Sequence, residues 1–238
     1  MDGCWTDIET ENTFRAFVVA PKFKPFSACI LLLHDIFGVD HNVRNYAVNF
    51  AQHGFPVCCP DLYWRLRPGI QLSETYDDWR VALRLQDEFD VQVGLADAKR
   101  ALEFFCRANA QSARLVVGYG LGGLIATLLA ADAEPRALVS YYGTGLDAWS
   151  ELVERGRRPF MFHVGESDYV LDDKKRTRIS ELLAQNPAAK LYLYPSTGHR
   201  FISPDAPTYN REASELADAR TIEFFARASA PIETPFVG

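Results

Sequence analysis

No apolar run in this chain approaches the ~18 residues of a membrane-spanning helix. The first residues, Met1 to Thr13, carry Asp2, Asp7, Glu9 and Glu11 with no apolar h-region. Neither a membrane span nor a secretory leader is expected, and a soluble, cytoplasmic protein is. A basic stripe is missing too: the formal charge is −6 and the Lys and Arg are scattered. Phosphate backbones would find nothing to track, so no nucleic-acid partner is expected. No His/Cys cluster has zinc-ligand spacing, and no metal is expected. The five cysteines, Cys4, Cys29, Cys58, Cys59 and Cys106, are odd in number, widely spaced and mostly set in apolar segments. That pattern predicts reduced core thiols rather than a disulfide framework. Low-complexity tracts and internal repeats are absent as well.

What is present suits one α/β domain over residues 1–238, since 48% of the 238 residues are hydrophobic and can fill a sizeable core. Apolar runs of strand length recur at Phe14 to Val19, Cys29 to Leu33, Phe55 to Cys59, Leu115 to Val117, Ala137 to Tyr141, Phe160 to Val164 and Lys190 to Tyr194. Most are continuous rather than alternating, which predicts strands buried on both faces. Between them, Val91, Leu95, Ala98, Leu102 and Phe105 recur at helical spacing within Asp90 to Ala108. Asn42 to His53, Leu121 to Asp132, Asp172 to Gln185 and Arg211 to Arg227 read as further helices. Strand-helix alternation implies a mostly parallel central sheet with helices on both faces and ligands at the carboxyl ends of its strands.

One segment carries two readings. Gly118-Tyr119-Gly120-Leu121-Gly122-Gly123 lies between an apolar strand and an apolar helix, where many α/β hydrolases mount a nucleophile on a sharp strand-to-helix turn. The central residue is Gly120, which has no side chain to act. The same residues satisfy G-x-G-x-x-G, the dinucleotide fingerprint. A dinucleotide site also needs an acidic residue ending the following strand to hold the ribose. Here that strand ends in Ser140-Tyr141-Tyr142 and the nearest acids, Asp132 and Glu134, precede it. No cofactor is expected.

Other strands also hand over to chemistry. Cys29 to Leu33 runs into His34-Asp35-Ile36-Phe37-Gly38, Phe160 to Val164 into Gly165-Glu166-Ser167-Asp168, and Lys190 to Tyr194 into a loop ending at His199. Elbow, then Asp, then His is the chain order of nucleophile, acid and base in α/β hydrolases. Chemically, a general-base His needs one ring nitrogen at the reacting proton and the other held by a carboxylate, roles that His199 and Asp168 could fill. His41, His53 and His163 fall in a helix approach, a helix end and a strand interior, and read as structural.

These segments, with Cys59-Pro60-Asp61-Leu62-Tyr63 and Tyr141-Tyr142-Gly143, resemble the dienelactone hydrolase family over nearly the whole chain and in the family's order. The resemblance implies an α/β-hydrolase fold, a small ester or lactone substrate, no cofactor, Asp168 as triad acid, His199 as base and Gly120 at the cysteine's position. It implies an oxyanion hole from the amides of Ile36 and Leu121. It also places a Glu in the active site where this chain has Asp35, one methylene shorter and with no thiol to contact. The family's substrate-binding arginines align with Trp79 and Ser203, while Arg80 and Arg200 lie close by and can take their place.

Loss of the nucleophile excludes the family's covalent mechanism, at a typical cost of ~10⁶ in turnover. Tyr119 is on the wrong side of the turn to replace it, and Cys106 lies on a helix that reads as buried. Three readings follow: a hydrolase scaffold deprived of its nucleophile by substitution, an enzyme in which water fills the vacated volume and His199 deprotonates it, and a non-catalytic protein that binds a small molecule in the inherited pocket. The oligomeric state is left open, a monomer being compatible.

Overall fold

Most of the continuous apolar runs become the interior of one eight-stranded sheet; Lys190 to Tyr194 instead forms an edge strand with only Tyr194 buried. A computed structural model describes residues 2–9, 13–22, 27–107, 112–132, 135–146, 150, 155 and 158–230. The strands are β1 (Cys4–Glu9), β2 (Thr13–Val19), β3 (Ala28–Leu33), β4 (Val57–Pro60), β5 (Ala113–Tyr119), β6 (Ala137–Tyr141), β7 (Phe160–Gly165) and β8 (Ala189–Tyr194). Their order is β1-β2-β4-β3-β5-β6-β7-β8. β1 and β2 pair antiparallel, as do β2 and β4; the remaining pairs are parallel. Every residue of β3, β4, β6 and β7 is buried, which requires cover on both faces.

That cover comes from α1 (His41–Gln52), α3 (Val91–Cys106), α4 (Leu121–Asp132), α5 (Asp173–Ala184) and α6 (Arg211–Ser229), while α2 (Tyr76–Glu88) packs with Ile36, Phe37 and Tyr63 of the loops after β3 and β4. Short polar side chains start most of them. Asp40, Thr75, Asp90, Asp172 and Asn210 each accept a hydrogen bond from an amide of the first turn, satisfying donors that a helix leaves orphaned. α4 differs in composition: it is apolar around most of its surface and buried from Leu121 to Leu129. A helix of that kind belongs against the sheet rather than at the surface.

Three expectations change. The edge strand β1 and the helix α2 were not signalled: β1 buries only Ile8, and α2 only Ala82 and Leu85. Cys29 and Cys106 are joined as a disulfide with their Cα atoms 6.6 Å apart, which corrects the reading of five reduced thiols. The end of α3 lies over the start of β3, and no spacing rule links residues 77 apart in sequence. Cys58 and Cys59 are free and buried, and Cys4 is exposed. No described helix is long and apolar enough to cross a membrane.

Candidate active site

The β5–α4 elbow is held by backbone approach. A Cβ on Gly118 would lie 2.0 Å from the carbonyl oxygen of Gly122, and one on Gly122 would lie 2.2 Å from that of Leu33. Both contacts forbid a side chain, so the glycines on either side of residue 120 follow from packing. Gly120 itself adopts φ +51°, a left-handed conformation, and donates its N–H to the Tyr141 carbonyl at 3.0 Å. A Cβ there would lie 2.0 Å from Asp35 Oδ1. The volume that a side chain at residue 120 would take is therefore filled by the Asp35 carboxylate. This corrects the expectation that water fills it.

The loop after β3 explains how Asp35 gets there. His34 is fully buried; its Nδ1–H donates to the Asp35 carbonyl at 2.7 Å and its Nε2 accepts from the Leu62 N–H at 2.9 Å. Burial lowers its pKa despite the nearby Asp61 and Asp35. With both ring nitrogens committed, His34 anchors the loop and has no proton to exchange. Asp35 Oδ1 then accepts from the Ile36 N–H at 2.8 Å. Leu121, at the first position of α4, packs with Ile36 and Phe37. Its amide belongs to the first turn, which has no intrahelical acceptor.

The loops after β7 and β8 touch so closely that a Cβ on Gly165 would lie 2.4 Å from the Thr197 carbonyl oxygen, and Ser167 N–H bonds that same oxygen at 2.8 Å. This contact brings Asp168 to His199. Asp168 Oδ1 accepts from the amides of Val170 and Leu171 at 2.8 and 3.0 Å, leaving Oδ2 for His199 Nδ1 at 2.8 Å. Burial alone would raise the Asp168 pKa; the His199 hydrogen bond and charge and the two amides outweigh it and hold the carboxyl below its ordinary range. Tyr142 meets the His199 ring edge-on at 4.9 Å, and Tyr169 lies 5.8 Å away. Tyr142 and Arg200, flanking this ring in space and in sequence, both have positive φ, a conformation costing roughly 1–3 kcal/mol that persists where surrounding structure enforces it.

His199, Gly120, Asp35, Ile36 and Arg200 line one pocket of about 320 Å³, with Trp79 and Tyr169 on its walls. A second hollow of about 300 Å³ shares Trp79, Tyr169, His199 and Arg200 with it. Arg200 is buried against the Phe37 ring, 4.0 Å from its centroid. Its Nε lies 3.4 Å from Asp35 Oδ2 and its Nη1 2.7 Å from Glu74 Oε1, as charge contacts rather than aligned hydrogen bonds. Burial works against the Arg200 charge, but the facing acids Asp35, Glu74 and Asp40 and the Tyr142 phenol raise its pKa.

Of the residues singled out from sequence, Gly120, Asp168, His199, Asp35, Ile36 and Arg200 converge. Arg80 does not: it is exposed on α2, 6.0 Å over the Tyr76 ring. Successive helical residues diverge by about 100°, so with Trp79 facing the pocket, Arg80 faces water. Glu74 was missed, because it sits in an irregular segment with no periodicity or motif. The three histidines read as structural lie elsewhere. His41 opens α1 and His53 caps it, while His163 is wedged between the Tyr194 hydroxyl and Thr221 Oγ1 at 2.7 and 3.1 Å.

Sheet order, elbow and strand-end loops are those of the α/β-hydrolase fold, and solved structures agree. A chain from Klebsiella pneumoniae superposes with a TM-score of 0.83 at 21% identity, covering 95% of this chain and 98% of that one. The dienelactone hydrolase from Anabaena variabilis superposes with a TM-score of 0.72 at 17% identity, covering 95% and 97%. The chain belongs to the dienelactone hydrolase family, whose sequence pattern matches residues 14–229. It is 34% identical over 232 residues to carboxymethylenebutenolidase 1 of Cupriavidus pinatubonensis, covering 97% of this chain and 98% of that protein. It is 32% identical over 239 residues to the carboxymethylenebutenolidase of a Pseudomonas strain, covering 98% of both.

Proposed function

We propose that this protein hydrolyses small neutral or polar carboxylic esters or lactones by direct attack of water, with His199 as general base and Asp168 as its orienting acid. The observation that carries the reading is the 2.8 Å contact between His199 Nδ1 and a buried Asp168 oxygen, with His199 lining the same pocket as Gly120. Asp168 accepts the Nδ1–H and so leaves Nε2 as the basic nitrogen. A water between Nε2 and the Asp35 carboxylate gives its proton to Nε2 as its oxygen bonds the ester carbonyl carbon. The tetrahedral oxyanion draws on the Leu121 and Ile36 amides, the latter shared with Asp35. Collapse breaks the carbon–oxygen bond to the leaving alkoxide, which takes the proton back from Nε2. No cofactor enters these steps, and one domain over residues 1–238 supplies every group. A cytoplasmic location is also part of this reading.

The test is hydrolysis of 4-nitrophenyl acetate with rapid mixing. The expected outcome is slow, linear release of nitrophenol with no burst equivalent to enzyme, and loss of at least ~10²-fold in His199→Ala. An unchanged rate in that variant refutes the general-base role. A second reading, a binding protein without turnover, is favoured by one observation: Asp35 Oδ1 already takes the Ile36 N–H. Ligand-dependent thermal stabilisation with no hydrolysis of any ester would establish it instead.

A further inference from the structure

Arg200 is the one permanent cation among the described residues lining the pocket and its neighbouring hollow. An arginine in a small-molecule site ordinarily recognises a carboxylate by presenting two parallel N–H groups. Here those positions are taken from both sides. Asp35 stands at Nε, Glu74 stands at Nη1, the flat face is covered by Phe37, and only 5% of the side chain is exposed. Glu74 is fixed in its turn, because its other oxygen accepts from the Trp79 indole N–H at 2.9 Å. Two carboxylates against one guanidinium leave a formal negative charge beside the pocket. A substrate carboxylate would meet that charge at low solvation and find no open N–H pair, the combination that makes like charges most costly.

We propose that Glu74, acting with Asp35, sets the substrate class of this site: it admits uncharged acyl groups and rejects carboxylate-bearing ones, making Glu74 the specificity-determining residue. Arg200 is then a structural counter-ion that holds two acids in the pocket wall. This inference takes the proposed hydrolytic pocket as the place where substrate binds.

Titration calorimetry at pH 8 with benzoate and benzamide, matched in shape and inert to hydrolysis, tests it on the full chain without requiring turnover. Wild type should bind benzamide at least tenfold more tightly than benzoate. Glu74→Gln keeps an acceptor for Trp79, removes one negative charge, and should tighten benzoate at least tenfold while moving benzamide less than threefold. Benzoate favoured by wild type, or benzoate affinity unmoved or undetectable in Glu74→Gln, overturns the proposal. Should Glu74→Gln not fold, Asp35→Asn removes the other acid and should likewise tighten benzoate at least tenfold, benzoate affinity unmoved or undetectable overturning the proposal. A matched ester pair separates this from the hydrolytic reading. The 4-nitrophenyl ester of glutaramic acid should exceed the mono-4-nitrophenyl ester of glutaric acid at least tenfold in kcat/KM. Failure of both esters to turn over removes the hydrolytic reading, and the calorimetric ratio still decides the present one.

Discussion

The two sides of the pocket differ in chemistry. On one side, the Asp168 carboxylate accepts from two amides and holds His199 Nδ1 at 2.8 Å. On the other, residue 120 has no side chain, and a carboxylate from the β3 loop occupies its place. The elbow survives because the Gly118–Gly122 and Gly122–Leu33 approaches that shape it involve no side chain at position 120. The elbow geometry thus stands without a side chain at its centre.

Breaking the intact side should cost most. His199→Ala is expected to lower kcat on a neutral aryl ester by about 10²–10⁴-fold, and Asp168→Asn nearly as much, because the amide favours the wrong imidazole tautomer. Steady-state rates at pH 8 check both.

Next in size is a difference in pH response between the two sides. Asp168 is held below its ordinary pKa, so its contribution to stability is present above that ordinary value and lost as pH falls through the depressed one. Asp40, behind Arg200, is the reverse: burial, only partly offset by the Val43 amide and Arg200, pushes its carboxyl from 3.8 up to about 7. Its contribution is complete below about pH 4 and lost as pH rises through 7. Asp40→Asn should therefore raise stability at pH 8 by up to about 4 kcal/mol, with no gain at pH 4. Urea denaturation at the two pH values checks the sign; equal effects at both would dismiss the buried-charge account.

A smaller effect sharpens the contrast at residue 120. Gly120→Cys must push the Asp35 carboxylate aside and should cost about 1–3 kcal/mol, recovered in part by adding Asp35→Ala. Rapid mixing should show a nitrophenol burst in the double variant. Smallest of all, Arg80→Ala should change kcat/KM less than twofold, because that side chain is in water.

Much of this was legible in the sequence where local pattern and chain order suffice. Helix α4 and strand β6 have the bounds read from their apolar runs, and the Asp168–His199 pair was readable because each follows one of two neighbouring parallel strands that deliver their ends to the same side of the sheet. The rest depends on contacts between segments distant in sequence. Asp35 could be named but not placed, since the approach of its carboxylate to Gly120 arises only when β3 and β5 lie side by side. Glu74 had no signal, because charge pairing to a residue 126 positions away leaves no periodicity. Arg80 lies next to Trp79 in sequence, but helix phase, which adjacency does not show, turns it away from the pocket. The Cys29–Cys106 pair was hidden for the same reason as Glu74, while β1 and α2 were too exposed to produce a clear apolar pattern.

The central claim, that water attacks directly while Asp35 stays outside the covalent chemistry, is tested by a single turnover in ¹⁸O-labelled water with enzyme in excess. The account predicts one ¹⁸O in every product acid and none in the peptide containing Asp35. Unlabelled product accompanied by ¹⁸O in that peptide would contradict it, showing that the carboxylate filling the vacated position had become the nucleophile.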